Sequence, residues 1–302
     1  MNYKSIVKSR KLRIKILRLF NFVPDKLMVK IQYRLSTGKK LNLKKPRRFT
    51  EKIQWYKLYY RDNLIKICSD KYSVRTYVES KGLSDILVPL YGVFNNVDEI
   101  NFNNLPESFV IKSSLGGGNS QVLVIENKNN NDSNKLRETI SAWKMKRKYK
   151  SVSREWGYES DNPKIIIEEN LITKHKKPLI DYKLFCFNGT FKYMYVISER
   201  NQKDGPYLDI YDPDFKKINA SRPDIMNSNK ILNKPINYAL MVEIANKLSK
   251  DFPHVRVDLY NFDGNIYFGE LTFYNGSGYK PYIPSEFDFK VKNFFNLPKK
   301  VL

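Results

Sequence analysis

Two alternating segments near the C-terminal end of the chain flank an Asp-Gly pair, the strongest short signal for a β-hairpin. They cover residues 255–260 and 265–273 and meet at Asp263 and Gly264. Apolar and polar residues alternate in both segments, as they do in half-buried antiparallel strands. Any fold of this chain must therefore accommodate one antiparallel hairpin at this place.

The length of the hairpin loop decides which side chains share a face of the hairpin. With a two-residue loop, Asp258 and Glu270 would lie on opposite faces. With a three-residue loop that ends in the glycine, Arg256, Asp258, Glu270 and Thr272 would lie on one face. Two carboxylates and a hydroxyl on one face suit a hard cation such as Mg²⁺, and Arg256 beside them suits a phosphate. The three-residue loop is thus the one expected to assemble a site, and an ordinary half-exposed hairpin is the alternative.

The rest of the chain combines short apolar strands with helices, which predicts an α+β fold rather than a regularly alternating parallel sheet. Thr50 is a plausible N-cap of the third helix. The expected helices cover residues 4–20, 25–37, 49–60, 70–80, 134–149 and 238–251. The expected strands cover residues 86–90, 109–112, 121–126, 164–168, 181–187, 191–198, 255–261 and 265–273.

A glycine-rich loop follows an apolar strand that ends in Lys112. The loop reads Ser-Ser-Leu-Gly-Gly-Gly-Asn-Ser over residues 113–120, and another strand comes after it. Consecutive glycines let backbone amides approach an anion, but the Gly-Lys-Ser/Thr ending of a P-loop is absent. The loop is therefore either a hairpin flap over a nucleotide or a flexible connection.

Carboxylates end one apolar strand and begin the next. Glu168 and Glu169 follow Ile165–Ile167, where they are either ligands for a nucleoside or charges at the point where a strand reaches solvent. Asp181 and Lys183 lie two residues apart at the start of a strand and so share a face.

Most of the excess positive charge lies in the first fifty residues. The net charge of the chain is +23, and the first fifty residues hold sixteen Lys and Arg against one acid, Asp25. The cations recur on one helical face between residues 4 and 18, opposite Leu12 and Ile16. A basic amphipathic helix over residues 4–20 is typical of segments that rest on an anionic membrane. A helix packed on the body of the protein is an open alternative, and no specific nucleic-acid partner is expected because no known nucleic-acid-binding module is recognisable.

Cysteine and histidine usage excludes other classes of protein. Cys68 and Cys186 lie far apart, which argues against a disulfide framework and for a reducing compartment. His175 and His254 have no metal-ligand spacing, so a histidine-based zinc site is not expected. With no apolar stretch of about 18 residues and no uninterrupted signal-peptide core, we expect a cytoplasmic protein, peripheral at the inner face of the membrane if the basic helix binds there.

The order of these features resembles that of the ATP-grasp superfamily. The features are a strand lysine, a glycine-rich loop, a strand ending in glutamates and a late Arg-X-Asp…Glu hairpin. The closer resemblance, from Asp25 onward, is to the TupA-like ATP-grasp family of surface-polysaccharide and teichuronopeptide gene clusters. Two features depart from the family pattern: Thr272 replaces an asparagine, and the flap lacks the Asn-His-Gly-Ser-Gly form. The segments that carry the resemblance are PRRFTEKIQW (46–55), SDKYSVR (69–75), FVIK (109–112), DYKLFCFNG (181–189), RVD (256–258) and FGELTF (268–273).

The resemblance implies an ATP-grasp fold, two α+β subdomains that clasp ATP, with ATP and Mg²⁺ as cofactors. It divides the chain into a basic helical N-terminal region (1–66), a nucleotide-binding lid subdomain (67–170) and a metal- and substrate-binding subdomain (171–302). The residue roles that it implies are phosphate contact by Lys112, Gly116, Gly117, Gly118 and Lys183, adenine contact by Glu168, Glu169 and Leu171, ribose contact by Asp181, Mg²⁺ binding by Asp258, Glu270 and Thr272, and catalysis by Arg256 and Lys183.

The activity that the resemblance implies is ATP-dependent ligation of a carboxylate to an amine through an acyl-phosphate. The expected partners are an amino acid and a uronic-acid-containing glycan of a capsular or teichuronic polysaccharide, free or lipid-linked. Two other functions stay open. One is a glycosyltransferase of the same pathway, and the other is a non-catalytic ATP-grasp relic that binds membranes or polyanions through its basic region.

Overall fold

Five helices precede the first strand in the part of the chain that this computed structural model describes, residues 9–115, 121–145, 151–159, 162–200 and 205–301. The second of them begins after Pro24 and ends at Gly38, whose φ of 73° is left-handed and favours glycine. Among the described helices, none is both long enough and apolar enough to cross a membrane. The five helices are α1 (Arg10–Leu19), α2 (Asp25–Thr37), α3 (Phe49–Tyr59), α4 (Asn63–Ser69) and α5 (Val74–Ser80).

A four-stranded antiparallel sheet follows, with the strand order β1-β4-β2-β3. Its strands are β1 (Leu90–Phe94), β2 (Phe109–Ser113), β3 (Val122–Ile125) and β4 (Ile165–Glu169), and α6 (Ser133–Met145) lies between β3 and β4 in the chain. Ile140 and Trp143 of α6 belong to one apolar cluster with Phe109 and Ile111 of β2, so the helix covers one face of this sheet. Lys112 belongs to the opposite face, because successive side chains of a strand alternate.

A five-stranded antiparallel sheet forms the larger part of the molecule, with the strand order β7-β6-β5-β8-β9. One of its faces is covered by the helix before β8, which contributes Met241, Ile244 and Leu248 to the main apolar core. The elements of this part are α7 (Leu171–His175), β5 (Asp181–Phe187), β6 (Thr190–Ser198), β7 (Tyr207–Tyr211), α8 (Tyr238–Ser249), β8 (His254–Phe262), β9 (Asn265–Thr272) and α9 (Ser285–Lys292).

The other face of the larger sheet changes from aromatic to charged along β8. His254, at the start of the strand, is fully buried, and its ring lies 4.6 Å from that of Phe187 and 5.3 Å from that of Phe49. Arg256 and Asp258 follow on the same face of β8 because they are two and four residues further along. The aromatic start of β8 therefore packs against α3. The charged residues further along the same face do not belong to this aromatic packing and are candidates for the functional site.

The segment 151–159 connects the N-terminal helices to this core. Arg154, of which only 4% is exposed, donates hydrogen bonds to the carbonyl oxygens of Phe20 (2.8 Å) and Val23 (3.3 Å). The carbonyl of Ser153 accepts a hydrogen bond of 2.8 Å from the fully buried Lys57 of α3. One short segment thus holds both the α1–α2 connection and α3.

The α+β prediction is confirmed, and several element predictions need correction. β1 begins at Leu90 rather than residue 86, because Pro89 has no N–H with which to extend the ladder. The predicted 70–80 helix begins at Val74, and α4, α7, β7 and α9 were not expected. The predicted helices over residues 4–20 and 134–149 extend beyond the described residues.

Thr50 is not an N-cap. Arg48 precedes the first helical residue of α3, and its backbone N–H is bound by the carboxylate of Glu51 at 3.1 Å. The hydroxyl of Thr50 instead donates to Asp288 of α9 at 3.0 Å. The threonine therefore joins two helices that are distant in sequence.

Burial of His254 makes the stability of the fold depend on pH. Burial lowers the pKa of this imidazole to about 3, so the folded protein keeps it neutral. Below pH 6.5 the unfolded chain takes up a proton that the fold does not, and the free energy of unfolding is expected to fall by about 1.4 kcal/mol per pH unit from this group. In His254→Phe, urea unfolding between pH 6.5 and 4.5 should show a slope smaller by that amount.

Phe49→Leu is the matched control, because it weakens the same aromatic cluster without removing a titratable group. It should lower the stability by a similar amount at both ends of this pH range. An unchanged slope in His254→Phe would show that the imidazole is protonated in the fold.

Candidate active site

The β8–β9 hairpin has a two-residue turn, so the expected three-residue loop is wrong. Phe262 pairs with Asn265, and the two residues between them, Asp263 and Gly264, have φ angles of 53° and 94°. Positive φ at both central residues is the requirement of a type I′ turn. The turn alone would place the two acids of the hairpin on opposite faces.

A β-bulge at Gly269 brings the acids back to one face. The register shifts between Asp258 and Leu259, so that Asp258 pairs directly with Glu270 while Leu259 pairs with Phe268. Gly269 is the additional, unpaired residue. A Cβ at this position would lie 3.1 Å from the carbonyl oxygen of Asp258 and 3.2 Å from the ring of Tyr260, which explains why a glycine occupies it.

The guanidinium of Arg256 lies at the centre of this face. It donates to both carboxylate oxygens of Asp258, through Nε at 2.6 Å and Nη2 at 2.7 Å. Nη2 also reaches Glu270 Oε1 at 3.3 Å and the hydroxyl of Thr272 at 3.0 Å, and Nη1 donates to Asn275 Oδ1 at 2.7 Å. Asp258 is 1% exposed and Arg256 8%, so this pair is buried and fully hydrogen-bonded.

Strand β5 adds a lysine beside these acids. Lys183 pairs in register with Asp258, and its ammonium contacts the carboxylate of Asp258. The same ammonium lies 3.9 Å from Asp181, which also contacts Arg200 in the turn after β6. Lys183, Asp258 and Glu270 thus form a row across three adjacent strands.

Lys71 reaches the row from the loop between α4 and α5. Its ammonium lies 3.4 Å from Glu270 Oε2. The loop is held to the end of β2, because the Lys71 N–H donates to the carbonyl of Ser114 at 2.7 Å and the Ser114 hydroxyl donates to Asp70 at 2.5 Å. The smaller sheet therefore positions a cation over the acid of the larger one.

The surrounding cations keep Glu270 ionised. Burial raises the pKa of this carboxyl, but Lys71, Lys183 and Arg256 lower it by more, and the result is a pKa of about 2. The hydroxyl of Thr272, which donates to Oε1 at 3.1 Å, acts in the same direction. With 34% of its side chain exposed, Glu270 is the acid of the row that a ligand can reach.

The smaller sheet carries a second ion pair. Lys112 contacts the carboxylate of Glu168, and both belong to the face of the sheet that α6 does not cover. Glu168 contributes, with Glu270 and Asp258, to a raised pKa of Tyr260, for which burial is the main cause. The two sheets therefore bring their charged residues towards the same tyrosine.

The remaining predicted site residues have different surroundings. Glu169 pairs with Lys174 at 2.7 Å, and Leu171 lies in a small apolar cluster with Val88 and Phe262. The glycines of the predicted flap, Gly116, Gly117 and Gly118, lie outside the described residues.

Lys71, Arg200 and Asn275 contact the site but were not expected from the sequence. Of these three residues, only Lys71 lies in a segment that carries the family resemblance, residues 69–75.

The donor groups fit a hard cation in part. Among the residues that the structure describes, no group of three or more His, Cys, Asp or Glu side chains could hold a metal ion. Both oxygens of Asp258 are engaged by Arg256 and Lys183, and the Thr272 hydroxyl lies between Arg256 and Glu270. Glu270 Oε2, which lies 3.4 Å from the ammonium of Lys71, is the oxygen best placed to bind one.

The bulge glycine has a measurable consequence. In Gly269→Ala the new methyl group must displace both the Asp258 carbonyl and the Tyr260 ring, and overpacking of this kind costs about 1–3 kcal/mol. Urea unfolding should show this loss. Thr190→Ala, at an exposed strand position of β6, is the control and should change the stability by less than about 0.5 kcal/mol. Equal stability of Gly269→Ala and the parent chain would contradict the tight packing at the bulge.

Comparison with known proteins gives one family and several distant structures. The model of the family described as TupA-like ATPgrasp matches residues 51–295. The D-alanine–D-alanine ligase of Bacillus anthracis complexed with ATP is 14% identical, with a TM-score of 0.41 over 68% of this chain and 55% of that chain. The D-alanine–D-alanine ligase of Helicobacter pylori is 17% identical, with a TM-score of 0.41 over 77% and 61%.

A third structure is similarly distant. The N5-carboxyaminoimidazole synthetase of Staphylococcus aureus complexed with ADP is 16% identical, with a TM-score of 0.39 over 68% of this chain and 44% of that chain. The chain thus spans between 44% and 61% of the length of these three proteins. No curated protein matches the chain in sequence.

Proposed function

The chain belongs to the TupA-like ATP-grasp family, whose model matches most of its length, and from this premise we propose that it is an ATP- and Mg²⁺-dependent carboxylate–amine ligase. The family match confirms the resemblance inferred from the sequence. The proposed substrates are an amino acid and a uronic acid of a capsular or teichuronic glycan. We propose a cytoplasmic location, where ATP is available, and we keep 1–66, 67–170 and 171–302 as the proposed units of the chain.

The observation that carries this proposal is the set of lysines from three separate elements. Lys71, Lys112 and Lys183 each contact a carboxylate, on Glu270, Glu168 and Asp258 respectively. A triphosphate offers these lysines stronger partners, and a divalent cation offers the carboxylates one. Without ligand these lysines and carboxylates neutralise one another, and the two sets are complementary to the phosphates and to the Mg²⁺ of Mg²⁺–ATP.

Each ligand group has proposed binding residues. Lys112, Lys183 and the backbone of the glycine loop would bind the phosphates, and Asp181 would bind the ribose. Glu168, Glu169 and Leu171 would surround the adenine. Glu270, with Asp258 and the hydroxyl of Thr272, would hold Mg²⁺, which when bound neutralises charge between the β- and γ-phosphates.

The proposed reaction has two steps. A carboxylate oxygen of one substrate bonds to the γ-phosphorus as the bond to the β–γ bridging oxygen breaks, which yields ADP and an acyl-phosphate. The amine then attacks the acyl carbon and loses a proton. The bond between the acyl carbon and the bridging oxygen breaks, and phosphate leaves with that oxygen. Arg256 and Lys183 would act by charge, by stabilising the negative charge of the transferred phosphoryl group, and neither needs to become a nucleophile.

The first test is equilibrium binding of ATP in the presence of Mg²⁺. Lys112→Met should weaken ATP binding by about 10- to 100-fold, the effect of one charge-assisted hydrogen bond. Glu270→Gln should remove most of the gain in affinity that Mg²⁺ provides. Lys230→Met is the matched control, because this lysine is 68% exposed and pairs with Glu199 outside the site. Equal affinities of Lys112→Met and the control would refute the phosphate assignment.

The second test concerns turnover. ADP release should require both an amino acid and a uronic acid, and mass spectrometry should detect an amide that is lighter than the two substrates together by one water. Arg256→Gln should lower kcat by at least 100-fold, the usual effect of removing one group that stabilises transferred charge. Binding of a nucleoside-diphosphate sugar in place of ATP would favour the glycosyltransferase alternative instead.

A further inference from the structure

Helix α2 presents two parallel columns of side chains to solvent. One column is basic and contains Lys26, Lys30 and Arg34, all exposed. The other is apolar and contains Leu27, Ile31 and Leu35, which are 51%, 43% and 42% exposed. Side chains four residues apart lie above one another on a helix, so each column runs along the helix axis. This arrangement was not anticipated from the sequence.

The opposite face of α2 is fully used by the protein body. Met28, Val29 and Tyr33 are buried, and Tyr33 donates to or accepts from the Thr50 hydroxyl at 3.0 Å. Gln32 donates to the carbonyl of Val152 at 2.7 Å and accepts from Tyr279 at 2.7 Å. The helix is therefore fixed, and it cannot rotate to hide the apolar column.

Helix α1 and the turn after it expose further apolar side chains. Leu12 is 49% exposed, Leu19 73%, and Phe20 and Phe22 are 44% and 81% exposed. Ile16, 37% exposed, completes the column of Leu12 on α1. The surface formed by α1, the turn and α2 is called the N-terminal surface below.

The charge around these apolar side chains indicates what covers them. Residues 9–48 contain fourteen Lys and Arg and a single acid, Asp25. Asp25 is already occupied, since it pairs with Arg61 at 3.2 Å and lies 3.6 Å from Arg154. A second copy of the same surface would meet it with like charge, and a nucleic acid would leave the leucines without a partner. An anionic bilayer is complementary to both columns, because its acyl chains can bury the apolar side chains and its phosphates can pair with the cations.

We propose that the N-terminal surface binds an anionic membrane, with α2 lying in the plane of the lipid headgroups. The long aliphatic stems of Lys26, Lys30 and Arg34 allow their charges to reach the headgroups while the neighbouring apolar side chains enter the acyl region. This inference is independent of the ligase proposal, because none of these residues belongs to the ATP or metal site. It extends the expectation for residues 4–20 to a second helix.

The test is sedimentation of the full chain with lipid vesicles. Vesicles of phosphatidylcholine are compared with an equimolar mixture of phosphatidylcholine and phosphatidylglycerol. The parent chain should bind only the anionic vesicles. A charge variant, Lys26→Gln with Lys30→Gln and Arg34→Gln, should bind them about 100-fold more weakly, as expected for the loss of three cations at a membrane surface.

An apolar variant separates membrane binding from attraction to any polyanion. Leu27→Ser with Ile31→Ser and Leu35→Ser keeps every charge but removes the acyl-chain contacts, and it should bind anionic vesicles at least tenfold more weakly. The matched control carries Met226→Ser, Ile231→Ser and Ile236→Ser, three side chains that are 60%, 85% and 61% exposed elsewhere on the molecule. It should bind like the parent chain. Circular dichroism spectra should be unchanged in all variants, and the urea midpoint of the apolar variant should fall only modestly, because its replaced side chains are half-exposed and serine is a weaker helix former.

Three results would overturn the proposal. The first is vesicle binding that the apolar variant retains in full, which would assign the surface to polyanions in general. The second is a dimer of the parent chain that the apolar variant abolishes, which would assign it to a second copy. The third is binding of the parent chain to neither kind of vesicle.

Discussion

The buried guanidinium of Arg256 is the interaction on which the arrangement of the site depends. A charge can be buried only if it is paired and hydrogen-bonded, and here one side chain satisfies Asp258, Glu270, Thr272 and Asn275 together. It joins β8 to β9 and to the loop beyond. Without it Asp258 would be a buried carboxylate with Lys183 as its remaining partner.

The cations of the site each contact an acid, whereas the N-terminal region has many more cations than acids. In the site each of Lys71, Lys112 and Lys183 contacts an acid, and these short contacts depend little on salt because they are partly buried. Between residues 9 and 48 the sequence has fourteen Lys and Arg against one acid, and Lys26, Lys30 and Arg34 of α2 are exposed. Most of the net charge of the chain therefore comes from the N-terminal region, and the site works by local complementarity.

Features that neighbouring residues determine could be predicted from the sequence, whereas contacts between residues distant in sequence could not. Strands such as β5, whose bounds were predicted without error, are evident because apolar runs and turn residues are local. The turn of the β8–β9 hairpin was mispredicted because a bulge at Gly269 and a loop one residue longer both place Asp258 and Glu270 on one face. Lys71 was missed as a neighbour of Glu270 because 199 residues separate contacts that only the folded chain brings together. The role of Thr50 was mispredicted for the same reason, because its hydrogen-bond partner, Asp288, is distant in sequence.

The segment 151–159 has a mechanical meaning. At one end Arg154 grips the turn between α1 and α2, and a few residues later Tyr158 lies close enough to Glu270 and Arg256 for both charges to affect its pKa, which burial raises. Immediately before Arg154, the Ser153 carbonyl accepts a hydrogen bond from Lys57 in the core. A displacement of the N-terminal helices would therefore be transmitted through a few residues of this segment to the edge of the site. The segment thus couples the position of the N-terminal surface to that of the active-site residues.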